Sequence, residues 1–500
     1  MKKIGIIDIG SNSVRLVVAQ AGPGGSFKVI DSIKDSVRLG QNLGPGNDLN
    51  AAKMEQALDT LRFFKDLCGA LEADPVLVVA TEAVRQSANQ KQFLSLAQSK
   101  LGFDVRVISG AEEAFYDYLG VVNSMDIRDG LIMDIGGSST ELILVNDRQL
   151  RERTSIHWGA INLTDQYNGL NASNAQHGHQ FREFLLQIYR DIPWLQQDTG
   201  SPLIGIGGTM RNIGRIDRKK ANYPLDITHN YHFTAQDLSA IYYMVKDTDL
   251  RHGKKIRGLS RDRTDIFTGA VAAAKHLVEY CRIQEIYISG SGLREGIAYQ
   301  YLLGNDTPVA DVLAFSLDNV ISYLGLNRDH AYQIWCLLSS LFEQLKPVHK
   351  IEQPLTKVIK TAALLHDAGI TINYYDHHKH SFYMILNSDL HGLSHRELLM
   401  AACVAGSHRK DDFKIAIDNY SLLINDADLL LIRQLGVLLK LCESFDRRKQ
   451  RYIREVRCAV QGDTVTMKLD SEAEPRLEMD EARESGPLFE KLFGKKLAIV

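Results

Sequence analysis

Two short stretches of this 500-residue chain carry the same chemistry. Residues 6–18 read IIDIGSNSVRLVV and residues 132–144 read IMDIGGSSTELIL. At an offset of 126 they match at Asp8/Asp134, Ile9/Ile135, Gly10/Gly136, Ser13/Ser139 and Leu16/Leu142. Each copy runs from an apolar strand into an aspartate, through a Gly/Ser turn, and into a second apolar strand. That pattern predicts a β-hairpin whose turn serves something other than packing. Glycine admits positive φ and lets the chain come close to a ligand, and successive backbone N–H groups in such a turn form an anion nest. Ser11, Asn12, Ser13, Ser138 and Ser139 add hydroxyl and amide donors. Asp8 and Asp134, at the strand ends, offer the hard oxygen ligands that suit Mg²⁺ or a metal-bound water. One such turn is a common connector. Two copies predict two related lobes that grip one phosphate chain from both sides.

The elements needed to position these turns follow from periodicity. Ala51 to Leu71 places Met54, Leu58, Leu61, Phe64 and Leu67 near helical spacing and stops before Asp74-Pro75. Val76 to Ala80 reads as a short buried strand that leads into Thr81-Glu82-Ala83-Val84-Arg85. Val105 to Ile108 is another strand, ending in Ser109-Gly110 before a helix that opens with Glu112 and Glu113. Leu203 to Ile206 enters Gly207-Gly208-Thr209, and Ile286 to Ile288 enters Ser289-Gly290-Ser291-Gly292 before a helix near Leu293. Strand-to-glycine turns of this kind meet at the carboxyl ends of the strands in an α/β fold.

The segments DIGSNSVRL at Asp8, TEAVR at Thr81, ISGAEEA at Ile108, MDIGGSSTEL at Met133, GIGGT at Gly205 and SGSGLREG at Ser289 occur in a fixed order over about the first three hundred residues. Together they resemble the exopolyphosphatase / guanosine pentaphosphate phosphohydrolase (Ppx/GppA) family. That resemblance implies an α/β fold with two actin-like (ribonuclease H-like) lobes, expected at 1–126 and 127–305. It implies Glu113 as the base that activates the attacking water, with Glu112 as the adjacent alternative. It assigns Asp8, Asp134 and Glu141 to a Mg²⁺ or Mn²⁺ ion and its water shell. Arg85 would contact phosphate oxygens, and Ser11, Asn12, Ser13, Gly136, Gly137, Ser138 and Ser139 would cradle them. Thr81, Gly207, Gly208 and Thr209 join this substrate set, with Arg15 and Arg38 as further candidate cations. Such a site works by positioning and charge neutralisation, so its serines are ligands and not nucleophiles.

After Asp306-Thr307-Pro308, which reads as a linker, the chain is helix-rich to about Arg451. This region resembles the His-Asp (HD-type) metal-dependent phosphohydrolase fold, expected at 306–451. His330, His366 and Asp367 fall on its first ligand positions, and Glu443 or Asp446 would complete the set. Where that fold has Leu-Ala-Asp, this chain has Leu441-Cys442-Glu443. The alternative is a degenerate module whose His377–His380, His408, Arg409, Lys410, Arg447, Arg448, Lys449 and Arg451 only bind anions and extend a cationic channel for a long polyanion. The basic run Lys254 to Arg263 is a further contributor. Residues 452–500 alternate and then turn helical at Leu488–Phe493, as expected for a small α/β C-terminal module.

Bulk properties bound these readings. The net charge of −3 argues against a general nucleic-acid binder. The six cysteines form no CxxC pair and read as buried, reduced thiols of a cytoplasmic protein. No stretch approaches the roughly 20 apolar residues of a membrane span, so no stable membrane association is expected. The size is compatible with a homodimer. The leading functional expectation is an exopolyphosphatase. Hydrolysis of guanosine pentaphosphate at the same site is the alternative, and a non-catalytic polyphosphate or nucleotide sensor is the outside one.

Overall fold

The structure, a computed structural model, describes residues 2–41, 46–169, 175–196, 200–248, 250, 254–304, 308–409 and 417–500. Most of the expected linker, Asp306 and Thr307, lies outside the described residues. The chain divides into two compact units, Met1–Val312 and Leu313–Val500.

The first unit is a mixed α/β assembly of two sheets. Strands β1 (Lys3–Ile9), β2 (Val14–Ala21), β3 (Phe27–Asp35), β4 (Val76–Ala80) and β5 (Val105–Val107) form one sheet in the order β3-β2-β1-β4-β5. Strands β6 (Gly130–Ile135), β7 (Thr140–Asn146), β8 (Gln149–Ile156), β9 (Leu203–Ile206), β10 (Tyr231–Thr234) and β11 (Glu285–Ile288) form the other, in the order β10-β11-β9-β6-β7-β8. Each sheet opens with a three-strand antiparallel meander and continues with strands parallel to its first. The duplication seen in two short motifs therefore extends to both sheets, with β10 as an added edge. The central strand β1 is apolar on both faces because both are covered: Ile4, Ile6, Ile7 and Ile9 are fully buried. The edges β3, β8 and β10 escape the sequence reading, because strands such as β3 and β8 carry polar residues on both faces and give no clean alternation.

Two helices tie the sheets together by exchange. Helix Gly110–Val122 follows β5 of the first sheet but packs Ala114, Leu119 and Val122 against Ile132, Ile143 and Ile204 of the second. Helix Leu293–Leu303 follows β11 of the second sheet but packs Ile297 and Ala298 against Ile4 and Ile6 of the first. The two helices touch through glycine: a Cβ on Gly296 would sit 1.9 Å from the Tyr116 carbonyl oxygen. Helix Ala51–Ala70, capped by Asn50, buries Met54, Leu58, Leu61 and Phe64 as its spacing predicts.

Among its described residues the second unit has six principal helices, Val312–Leu324, Arg328–Gln344, Thr356–Leu365, His377–Asn387, His395–Gly406 and Asp426–Phe445. It ends in a sheet of β12 (Ile453–Gln461), β13 (Thr464–Ser471) and β14 (Lys496–Ile499), with helices Arg476–Arg483 and Gly486–Phe493 between the last two strands. The sheet is fastened to the helices: Gln333 Nε2 donates to Ile453 O at 2.7 Å, and Gln344 Nε2 donates to Val456 O at 2.8 Å.

All six cysteines are free thiols, but Cys336 is exposed and Cys458 half-buried, so burial holds for four of them. Among the described residues, no helix is long and apolar enough to cross a membrane.

Candidate active site

The two hairpin turns close in the same way. Gly10 N–H donates to Ser13 O at 3.1 Å, and Gly136 N–H donates to Ser139 O at 3.0 Å. Both tips face one cleft of about 100 Å³ at the carboxyl ends of β1, β4, β6, β9 and β11. Ser11, Asn12, Ser13, Arg15, Thr81, Gly136, Gly137, Ser139, Gly207 and Gly208 line it, together with Asp8, Glu113 and Asp134. The Asn12 side chain is buried and makes no hydrogen bond among the described residues through either its Nδ2 or its Oδ1. Its polar groups are unsatisfied, as expected of a ligand-facing amide. Gly207 adopts φ +70°, and a Cβ there would lie 2.0 Å from Asp134 Oδ1. Only glycine leaves Asp134 its place.

Other expected residues stand behind or beside this wall. Arg85 reaches Glu113 Oε2 at 3.2 Å and Glu82 Oε2 at 2.5 Å, and donates to Ile108 O at 2.6 Å. Glu141 is 1% exposed and accepts from Ser155 Oγ at 2.7 Å. Thr209 is buried and donates to Ile135 O at 3.2 Å. Ser138 faces a second, polar cavity with Gly40, Glu82 and His157. Arg38 pairs with Asp265 at 2.5 Å and does not line the cleft.

The neighbours Glu112 and Glu113 are separated by a cap. Ser109 and Glu112 form a capping box at the start of helix Gly110–Val122, with Ser109 N–H donating to Glu112 Oε2 at 2.8 Å. Glu112 also pairs with Arg106 and is 42% exposed. Glu113, one residue on, is 12% exposed and turns into the cleft against Arg85. Burial, reinforced by the charge of Glu141, pushes its carboxyl well above the usual range, while Arg85 pulls the other way.

Sequence reading missed three cleft arginines: Arg211, Arg294 and, as an inward-facing group, Arg263. Arg211 Nε donates to Gly207 O at 2.9 Å, and Arg263 Nη1 donates to Thr209 Oγ1 at 3.3 Å. Arg263 ends the basic run at Lys254, yet its side chain is 7% exposed and not a solvated face. Burial and the neighbouring Arg15 push Arg263 down to about 10, and burial with Arg294 does the same to Arg15. Arg294 lay within the quoted SGSGLREG segment, so a signal for it existed. Burial raises the carboxyl groups of Asp8 and Asp134, against the pull of Arg294 and Arg15 on the first and of Arg211 and Arg263 on the second. Asp8 and Asp134 are oxygen donors only. Among the described residues, the sets of three metal-ligating atoms within 4.8 Å of one another both lie in the second unit. Two carboxylates on one cleft are a donor set that could hold a hard divalent ion, the remaining positions going to waters and substrate oxygens.

In the second unit His330, His366 and Asp367 come together, and Glu443 lies 3.6 Å from His408 Nε2. Several of the basic groups considered for an anion channel there are buried or paired with acids, and Lys410 lies outside the described residues. His377, His378 and His408 are buried, Arg447 pairs with Glu481, Arg448 with Glu478, and Lys449 with Asp367. These side chains answer local carboxylates, which the sequence could not place beside them.

A model of the Ppx/GppA phosphatase family matches residues 17–305, and a model of Ppx/GppA phosphatase domain III matches residues 315–481. The chain belongs to the Ppx/GppA phosphatase family. A guanosine-5'-triphosphate,3'-diphosphate pyrophosphatase of Aeromonas hydrophila is 27% identical over 475 residues, 93% of this chain and 92% of that one. One of Vibrio parahaemolyticus is 27% identical over 474 residues, with 93% and 91% covered. The solved Ppx/GppA family member of Aquifex aeolicus shares 25% identity at a TM-score of 0.53, over 61% of this chain and 98% of that one. An exopolyphosphatase of Cytophaga hutchinsonii has the same fold, at 24% identity and a TM-score of 0.54 over 61% of this chain and 98% of its own.

Proposed function

We infer that this Ppx/GppA chain hydrolyses the terminal phosphoanhydride of a polyphosphorylated substrate, with Glu113 as the base. The observation that carries the reading is Glu113 itself: a nearly buried carboxylate, held by Arg85 at 3.2 Å, on the wall of a cleft built from two phosphate-nest hairpins. In this reading Glu113 takes the proton of a water as its oxygen attacks the terminal phosphorus. The bridging P–O bond breaks, and orthophosphate leaves with a substrate shorter by one phosphate. Backbone N–H groups around Ser11–Ser13 and Gly136–Ser139 hold phosphate oxygens, Arg15, Arg211, Arg263 and Arg294 neutralise their charge, and Arg85 keeps Glu113 oriented. Asp8 and Asp134 would hold Mg²⁺ or Mn²⁺, with Glu141 behind them, and such an ion adds charge neutralisation at the phosphate.

Between the two substrates, the family members that match across both units carry a guanosine pentaphosphate name. We therefore put guanosine pentaphosphate first, losing its 5′-terminal phosphate. Inorganic polyphosphate is the second reading, favoured by a cleft lined with arginines and backbone amides. The matched topology of the two sheets supports reading them as actin-like lobes. The histidine-bearing helices support an HD-type reading of 306–451, with 452–500 as a small α/β module. A cytoplasmic location and homodimer formation fit a protein of this kind.

The test measures phosphate release from guanosine pentaphosphate and from long polyphosphate side by side, with and without Mg²⁺. Release from the nucleotide, lost on chelation, is expected. A protein that releases phosphate from neither substrate would overturn the assignment.

A further inference from the structure

The glycine-rich loop that follows β11 is not a third anion nest. Its four N–H groups, from Ser289 to Gly292, all donate to the protein itself. Ser289 N–H donates to Gly205 O at 2.9 Å and Gly290 N–H to His229 Nδ1 at 3.1 Å. Ser291 N–H donates to Ser289 Oγ at 3.1 Å, and Gly292 N–H to Glu295 Oε2 at 2.9 Å. A nest needs such groups open to the ligand, so this loop lines the cleft without offering phosphate a backbone donor. It presents the Arg294 side chain instead, and it holds a second arginine by a carbonyl. Gly290 O accepts from Arg211 Nη1 at 3.2 Å, while Gly207 O accepts from Arg211 Nε at 2.9 Å. These two bonds fix the plane of the guanidinium and leave the rest of its five donors for an anion.

One of the four acceptors comes from elsewhere in the chain. His229 lies just before β10, and Asn230 N–H donates to Ile288 O at 2.8 Å, which ties this segment to the end of β11. A backbone N–H only donates, so the bond from Gly290 makes His229 Nδ1 the lone pair and places the ring proton on Nε2. Nε2 lies 2.9 Å from Ser124 O, a carbonyl that only accepts. One neutral tautomer therefore satisfies both ends of the ring. Ser124 follows the helix Gly110–Val122 that carries Glu113. The contact on the other side is close, since a Cβ on Gly290 would lie 3.3 Å from His229 Cβ. Gly290 is thus gripped at its N–H by His229 and at its carbonyl by Arg211.

We propose that His229, which does not itself line the cleft, is a positioning residue for phosphate binding there. Its neutral imidazole, seated against the end of the helix of Glu113, holds Gly290 where the Gly290 carbonyl aims Arg211 into the cleft. The value of a guanidinium fork to an anion depends on its orientation, which is what this chain of contacts sets. The proposal rests on the reading of the cleft as a phosphate site and adds the group that keeps one of its arginines in register.

Orthophosphate binding to the full-length protein is measured by calorimetry in the wild type, His229→Ala, Arg211→Ala and the double variant. His229→Ala should weaken orthophosphate about tenfold. In His229→Asn the side-chain Oδ1 can accept from Gly290 N–H in place of Nδ1, and affinity should return to within about twofold of wild type. In the Arg211→Ala background, His229→Ala should change affinity by less than about twofold, because the group it aims is gone. A merely structural histidine would lower the melting temperature in both backgrounds and leave the affinity of the folded protein unchanged. Because His229→Ala could fail to fold, the ring is also read directly in the wild type by nitrogen magnetic resonance at neutral pH. The signal that His229→Asn removes should be that of an Nε2–H tautomer. Orthophosphate binding needs no turnover, so these results stand apart from whether Glu113 acts as the base. A folded His229→Ala with undiminished affinity would overturn the proposal, as would full additivity of the two substitutions. A cationic ring or an Nδ1–H tautomer at His229, or a wild type with no affinity for orthophosphate, would do the same.

Discussion

Glu112 and Glu113 share a helical turn but stand in different surroundings, and substitution should part the roles proposed for them. Glu113→Gln keeps the shape and removes the proton acceptor, so phosphate release should fall about 10²–10⁴-fold with the melting curve little changed. Glu112→Ala should leave turnover intact while costing about 0.5–1 kcal/mol through the lost capping box. Phosphate-release assays beside thermal denaturation decide this, and a reversal of the two effects would refute the assignment. The sequence already held the means to tell them apart, since Ser109 followed three residues later by Glu112 is the capping signature. Asp8 and Asp134 were legible because the strand-to-turn grammar repeats. Arg211 and Arg263 were not. An arginine inside a helix or after a basic run looks like a solvated cation until the fold turns it inward.

The strand-to-glycine turns were readable as elements because buried strands are uniformly apolar and glycine punctuates them. What could not be read was how close their neighbours stand. Gly207 and Gly24 share nearly the same φ, +70° and +66°, but a Cβ on Gly24 meets nothing within 4 Å, whereas one on Gly207 collides with Asp134. Gly24→Ala should therefore cost about 1 kcal/mol of backbone strain and keep full activity. Gly207→Ala carries the same strain and should in addition abolish most phosphate release, because Asp134 is displaced. Equal activity in the two variants would show that the position of Asp134 is immaterial.

Across the molecule, the buried carboxylates of the cleft make stability depend on pH. Burial, with the charge of Asp134, lifts Glu141 from 4.5 to about 8. Between those values the folded protein holds a proton that the unfolded chain has released, so stability falls as pH rises through the window. Burial lowers His276 and His408 from 6.5 to about 4, which works in the opposite sense, is half complete at pH 6.5 and offsets part of the Glu141 effect up to about pH 7.5. Chelated protein melted between pH 6.5 and 8 should therefore lose roughly 2 kcal/mol through Glu141, part of it offset by the histidines, and Glu141→Gln should remove the loss. A melting temperature that is level or climbs over that range in the wild type would contradict the burial argument. The exchanged helices carry one more consequence. Glu113 rides on helix Gly110–Val122 and Arg294 on helix Leu293–Leu303, and these helices meet at Gly296 with no room for a methyl group. If the sheets rock about the cleft, the proposed proton acceptor and this guanidinium travel as a single yoke, so in the proposed mechanism the jaw can open for product without changing their mutual register.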